Sequence, residues 1–124
     1  MSALGEIMRT EFVTVAPEDT IGEAAQKMVT AGRGAAIVSD FGRLIGILTE
    51  RDLLKAVAAR THSSEARVRE WMTPNPITAE PSMTADEAAK VMLDNGFRHL
   101  PVVDGERPIG IVSMRVVLRA TTQE

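Results

Sequence analysis

The sequence predicts an α+β protein in which one β-α-β-β-α unit is used twice, packed with pseudo-twofold symmetry. Three observations carry this. First, sliding the 124-residue chain by 64 positions lays Met8 on Met72, Thr14 on Thr78, Pro17 on Pro81, Thr20 on Thr84 and Glu23-Ala24-Ala25 on Glu87-Ala88-Ala89. Second, the match continues without a gap through Met28 on Met92, Gly32 on Gly96, Val38 on Val102, Asp40 on Asp104, Arg43 on Arg107 and Ile45-Gly46-Ile47 on Ile109-Gly110-Ile111. Such self-similarity marks a repeated structural unit. Third, hydrophobic spacing switches between helical and extended periods at the same offsets in both copies. The repeats span residues 7–60 and 71–120, joined by a polar linker at 61–70, and the whole of 1–124 forms one module.

Each copy opens with a short strand, Phe12 to Val15 or Ile77 to Ala79, stopped by Pro17 or Pro81 because proline lacks the ladder N–H. Thr20-x-x-Glu23 and Thr84-x-x-Glu87 then have capping-box spacing, and Ile21, Ala24, Ala25, Met28 and Val29 form an apolar stripe that Ala85, Ala88, Ala89, Met92 and Leu93 repeat. Gly32 and Gly96 stand where a left-handed C-terminal cap is wanted. Two strands follow, Ala35 to Ser39 and Leu44 to Leu48, or Leu100 to Val103 and Ile109 to Val112, with Gly-containing turns between them. The last helix runs from Glu50 to Arg60, or from Met114 to Ala120, and Val68 to Met72 adds a helical turn. Each copy thus holds three strands. At about 55 residues it is marginal for an independent core, so the copies are expected to pack together with two related clefts between them.

Composition excludes several classes. A formal charge of −3, with Trp71 and three Phe as the only aromatics, does not suit nucleic-acid binding. The absence of Cys removes disulfides, thiolate catalysis and Cys-ligated zinc. No apolar run reaches the roughly 20 residues of a membrane span, and residues 1–6 lack signal-peptide character, so a cytoplasmic location is expected. Two histidines without cysteine make a poor metal set, and no metal is expected. His62 falls in the polar linker.

Gly46-Ile47-Leu48-Thr49-Glu50-Arg51-Asp52 reads as a strand feeding a helix, and a helix start offers unpaired N–H groups and a positive dipole end to an anion. Thr-x-x-Asp is equally a capping-box spacing, and the two roles are compatible.

This segment, together with Arg98-His99-Leu100-Pro101-Val102-Val103-Asp104 and the repeated β-α-β-β-α order, resembles the tandem cystathionine β-synthase (CBS) domain pair, the Bateman module, across residues 6–120. The resemblance implies a nonenzymatic regulatory module that senses an adenosine-containing ligand. AMP, ADP or ATP is expected first, and S-adenosylmethionine or NAD less often. It also implies composite clefts. One would combine Ile47, Thr49, Arg51 and Asp52 with Met72, Ile77, Phe97, Arg98, His99 and Pro101. Asp52 would take the ribose hydroxyls, while Arg51, Arg98 and His99 are the candidate phosphate partners. The other would use Ile111, Ser113 and Arg115 with Met8, Val13, Arg33, Gly34, Ala35 and Ile37.

This chain departs from the pattern at the second site. Val116 stands where the ribose-binding Asp belongs, and Gly34-Ala35 replaces the basic pair. Losing charge-assisted hydrogen bonds worth roughly 1.5–3 kcal/mol weakens binding by about one to two powers of ten, so one occupied and one weak site are expected. The resemblance further implies a head-to-head homodimer. Leu53, Leu54, Val57, Val117 and Leu118 would supply apolar contact beyond the core; an unidentified regulated protein is the expected partner, and the competing reading is a ligand-independent dimerisation or interaction module whose clefts stay empty. Catalysis is the least favoured class, because Asp52, Thr49 and His99 are read as binding groups and no nucleophile–base pair stands out.

Overall fold

A computed structural model describes residues 2–122; the module limits at Met1, Gln123 and Glu124 lie outside the described residues. The element order is α1 (Leu4–Ile7), β1 (Val13–Val15), α2 (Ile21–Ala31), β2 (Ala35–Asp40), β3 (Arg43–Thr49), α3 (Glu50–Ala58), α4 (Val68–Trp71), β4 (Thr73–Pro74), α5 (Ala85–Asn95), β5 (His99–Asp104), β6 (Arg107–Ser113) and α6 (Met114–Thr122). The chain forms two compact units, one of Phe12–Pro76 and one joining Met1–Glu11 to Ile77–Glu124.

These units cut the chain differently from the sequence repeats. Each repeat's leading segment packs with the other repeat's body. In the unit Phe12–Pro76 the sheet has four strands in the order β1-β2-β3-β4, not three. β1 runs parallel to β2, β2 and β3 form a hairpin, and β4 pairs antiparallel with β3 through Ile47 opposite Thr73. Val68 is fully buried in this unit's core with Val13, Val15, Ala24, Met28, Ala36, Val38 and Leu48. The other unit repeats the layout in thinner form around the β5-β6 hairpin. Its expected strand from Ile77 to Ala79 shrinks to a single parallel bridge, Ala79 to Val102, and Arg9 bridges to Ile111 as Thr73 does to Ile47. Leu4, Ala79, Ala85, Ala88, Met92, Leu100, Val102, Val112 and Val117 form its core.

The leading segments also satisfy helix starts. Ile21 N donates to Ala66 O at 2.9 Å and Val68 N to Asp19 O at 2.8 Å. In the other unit Ala85 N donates to Ser2 O at 2.9 Å and Leu4 N to Met83 O at 2.8 Å. The 61–70 segment is therefore bound backbone rather than a loose tether, because N–H groups at a helix start need partners from outside the helix.

α2 has the full capping box: Glu23 N donates to Thr20 Oγ1 at 3.1 Å and Thr20 N to Glu23 Oε1 at 3.0 Å. These bonds from the Thr20 backbone and hydroxyl hold the Glu23 carboxyl below its usual range. α5 keeps only part of the expected box. Glu87 N donates to Thr84 Oγ1 at 3.2 Å, but the Glu87 carboxylate turns to the Thr84 hydroxyl and not to its N–H. Both helices end on a left-handed glycine, Gly32 at φ 66° and Gly96 at φ 73°. The expected stripe is narrower than drawn, for Val29 is 76% and Leu93 68% exposed. At 100° per residue a side chain eight residues further on lies about 80° round from the first, at the stripe's margin. α3 stops at Ala58 instead of Arg60, which takes a positive φ of 62°. Val117, expected to face outward, is fully buried, whereas Leu54, Val57 and Leu118 are exposed.

No described helix is long and apolar enough to cross a membrane, and among the described residues no group of three His, Cys, Asp or Glu could hold a metal ion.

Candidate functional site

In the unit Phe12–Pro76 the β3–α3 junction carries the chemistry. β3 ends on Thr49, the N-cap of α3, whose extended backbone (φ −119°, ψ 169°) turns the chain into the helix. Thr49 N donates to Asp52 Oδ2 at 2.8 Å, the Thr49 hydroxyl donates to the same oxygen at 3.1 Å, and Asp52 N donates back to Thr49 Oγ1 at 3.4 Å. The box read as one alternative is therefore present. It does not exhaust the carboxylate. Asp52 is only 8% exposed, the one buried charged side chain among the described residues. Its Oδ2 holds the box, while Oδ1 takes no hydrogen bond among the described residues and is not sealed off from outside. A carboxylate oxygen has two lone pairs, so Oδ1 can accept two hydroxyl donors without disturbing the cap.

The β2–β3 register places Ala35 opposite Thr49 and Ile37 opposite Ile47, so these four share one sheet face. Val13, read as a site residue, instead pairs with Ala36 and packs in the core on the opposite face. Arg51 is exposed beside Asp52, and Arg33 and Gly34 precede β2. Gly46 explains how Met72 reaches this junction. A Cβ there would stand 2.6 Å from Met72 Sδ and 3.0 Å from Thr73 O, so glycine leaves the α4–β4 segment room to approach β3 closely.

The other unit has the same junction with different groups. Ser113 Oγ accepts from Val116 N at 3.3 Å, which keeps the hydroxyl cap but supplies no carboxylate. Ser113 lies opposite His99 and Ile111 opposite Pro101. Met8 passes over Gly110 as Met72 does over Gly46, held by paired bonds between Arg9 and Ile111 at 2.9 and 3.0 Å. Phe97 packs against the core, Arg98 and Arg115 are exposed, His99 is half-buried, and Pro101 is buried. Ile77 is 46% exposed and outside every strand. The predicted residues therefore divide between the units: Arg33, Gly34, Ala35, Ile37, Ile47, Thr49, Arg51, Asp52 and Met72, with Val13 in the core, belong to the first, and Met8, Ile77, Phe97, Arg98, His99, Pro101, Ile111, Ser113 and Arg115 to the second.

Sequence reasoning passed over Glu50 and Met114. Glu50 N donates to Gly34 O at 3.0 Å and Met114 N to Arg98 O at 2.8 Å, so each first helical residue sits against the residue before its neighbouring strand. The signal was present in the 64-residue offset, which pairs 34 with 98 and 50 with 114.

The hairpin-and-helix repeats and their paired strand-to-helix junctions define a tandem-repeat α+β architecture. The sequence model of the CBS domain matches residues 4–59 and 68–122, and the chain belongs to the CBS-domain family. It is 40% identical over 120 residues to an uncharacterised Methanopyrus kandleri protein, MK0525, covering 94% of this chain and 61% of that one, so it spans less than two thirds of that relative. The crystal structure of the CBS-domain protein ATU1752 from Agrobacterium tumefaciens is similar with a TM-score of 0.89 at 35% identity, covering 97% of this chain and 99% of that one. A crystal structure of CBSX2 in complex with AMP matches with a TM-score of 0.83 at 28% identity, covering 99% and 98%. The CBS pair of MJ0100 in complex with 5′-methylthioadenosine and S-adenosyl-L-methionine matches with a TM-score of 0.89 at 28% identity, again covering 99% and 98%.

Proposed function

We propose that the chain is a nonenzymatic regulatory module that binds one adenosine-containing ligand, AMP, ADP or ATP before S-adenosylmethionine or NAD, and signals metabolite or energy state. The observation that carries this is Asp52, a buried carboxylate held in place by Thr49 with one oxygen unbonded among the described residues and not sealed off from solvent. A ribose presents two neighbouring hydroxyl donors, which suit that oxygen. Thr49, Ile47, Arg51 and Met72 belong to the same junction. Ile77, Phe97, Arg98, His99 and Pro101 are assigned to the same ligand on the family pattern. The AMP complex of CBSX2 and the S-adenosyl-L-methionine complex of MJ0100 support the adenosine class.

The weaker second site is assigned to Met8, Arg33, Gly34, Ala35, Ile37, Ile111, Ser113 and Arg115, without Val13, which packs in the core. Ser113 caps α6 there without a carboxylate partner. The module is proposed to act in the cytoplasm on a separate regulated protein.

Calorimetric titration of the purified chain with AMP, with Asp52→Ala beside it, tests the reading. Binding by the wild type that falls at least about tenfold in the variant is expected, since a hydrogen bond to a charged group contributes roughly 1.5–3 kcal/mol. Absence of binding at millimolar AMP, ADP and ATP would overturn it.

A dimerisation role is favoured by one observation, the apolar exposure of Leu54 (69%) and Val57 (71%) on α3. A homodimer through that face, measured as mass in solution and unchanged by nucleotide, would favour this second reading.

A further inference from the structure

One thioether lies across a strand glycine in each unit. A Cβ built on Gly46 would stand 2.6 Å from Met72 Sδ and 3.1 Å from Met72 Cγ, and one built on Gly110 would collide with Met8 Sδ and stand 2.8 Å from Met8 Cγ. Each sulfur therefore fills the room a side chain on the strand would take. The two contacts are repeat-related, since 8 and 72, like 46 and 110, are 64 positions apart. Met8 and Met72 are half-buried, whereas Met28 and Met92 are 3% and 0% exposed and enclosed in the two cores. A small solute can thus approach the first pair in the folded chain and not the second.

The segments that these methionines hold down are lightly tied. Met72 precedes β4, whose two residues pair with β3 at Gly46 opposite Pro74 and Ile47 opposite Thr73. Met8 precedes Arg9, which meets β6 through two backbone bonds, Arg9 N to Ile111 O at 2.9 Å and Ile111 N to Arg9 O at 3.0 Å. Segments with so few ladder bonds open at low cost, and the thioether on the glycine adds apolar contact that opposes the opening.

We propose that Met8 and Met72 are paired sites of reversible oxidation by hydrogen peroxide or an organic hydroperoxide, and that their sulfoxides release the two leading segments from β6 and β3. A sulfur lone pair attacks one peroxide oxygen. The S–O bond forms as the O–O bond breaks, and with hydrogen peroxide the departing hydroxide takes up the remaining proton and leaves as water. Sulfur is oxidised by two electrons and the peroxide reduced by two. The flexible apolar side chain becomes a bulkier polar one, in a place where contact with the glycine leaves no space for even one added carbon. Burying the new oxygen without a hydrogen-bond donor is costly, so the segment lifts to hydrate it. A thiol-dependent sulfoxide reductase restores the thioether, two thiols becoming a disulfide as the oxygen leaves as water.

The test exposes the folded full chain to hydrogen peroxide and follows each methionine by peptide mass spectrometry. Met8 and Met72 gain oxygen at least about tenfold faster than Met28 and Met92. The amides of Arg9, Ile111 and Asn75, bonded across the two segments, then exchange with solvent at least about tenfold faster than before treatment, and by a larger factor than any amide within α2 or α5. Sulfoxide reductase with dithiothreitol reverses the change. The double variant Met8→Leu with Met72→Leu, nearly conserving volume, shows no such acceleration after the same treatment, although Met83 and Met114 remain. If the double variant does not fold, each single variant confines the faster exchange to the other unit. The proposal is overturned if Met28 and Met92 oxidise as fast as Met8 and Met72, if exchange at these amides is unchanged once both sulfurs are oxidised, or if the leucine variants respond as the wild type does.

Discussion

Gly46→Ala tests whether the α4–β4 segment is locked onto β3. A Cβ at this position would stand 2.6 Å from Met72 Sδ, 3.1 Å from Met72 Cγ and 3.0 Å from Thr73 O. The thioether end can swing away, but Thr73 belongs to β4, whose pairing with β3 runs through Gly46 opposite Pro74 and Ile47 opposite Thr73. Relief therefore requires backbone movement in a paired strand. Overpacking of this kind costs about 1–3 kcal/mol. With a urea m-value of about 1–3 kcal/mol/M, the unfolding midpoint falls by roughly 1 M. Gly42→Ala is the control: it has no atom within 4 Å but a φ of +77°, so its cost is conformational only. Combining Gly46→Ala with Met72→Ala separates the collision from the loss of glycine freedom, and a coupling of at least about 1 kcal/mol is expected. A Gly46→Ala midpoint within error of wild type, or strict additivity with Met72→Ala, would refute the close-approach argument.

Leu4 is fully buried in the core built mainly from the second repeat, so Leu4→Ala destabilises by about 2–5 kcal/mol, whereas Leu54→Ala, at 69% exposure, stays within about 0.5 kcal/mol in urea unfolding. Equal effects would mean that the leading segment is not integral to that unit. Glu23 has a depressed folded-state pKa, so its contribution is present above its unfolded value near 4.5 and is lost as pH falls through the lower folded value. Urea midpoints of Glu23→Gln measured between pH 3 and about 7 therefore converge on wild type at the acid end; a constant gap would contradict the linkage.

The helices and hairpins were legible because their signals are local. Thr20-x-x-Glu23, the 3.6-residue stripe and a following glycine fix α2 without tertiary help, and the same marks fix α5. The exchange of leading segments was not legible, since a four-residue helix such as Leu4–Ile7 or Val68–Trp71 has no periodicity from which to infer a partner. Thr49 and Asp52 were legible as a pair, but their spacing alone left cap and ligand roles open. The structure shows the cap, with the second carboxylate oxygen left over. Val13 illustrates the opposite limit: three residues of strand could not reveal which face it takes, and it packs inward. Glu50 and Met114 were invisible until backbone bonds placed them beside residues 34 and 98.

The number of AMP molecules bound per chain, and the dependence of their affinity on Asp52, test the proposed ligand site most directly. Calorimetry on the purified chain should give one AMP per chain, with Asp52→Asn lowering its affinity at least about tenfold at unchanged fold. Two equivalent sites, or equal affinity in wild type and Asp52→Asn, would contradict the assignment of the buried carboxylate to the ligand.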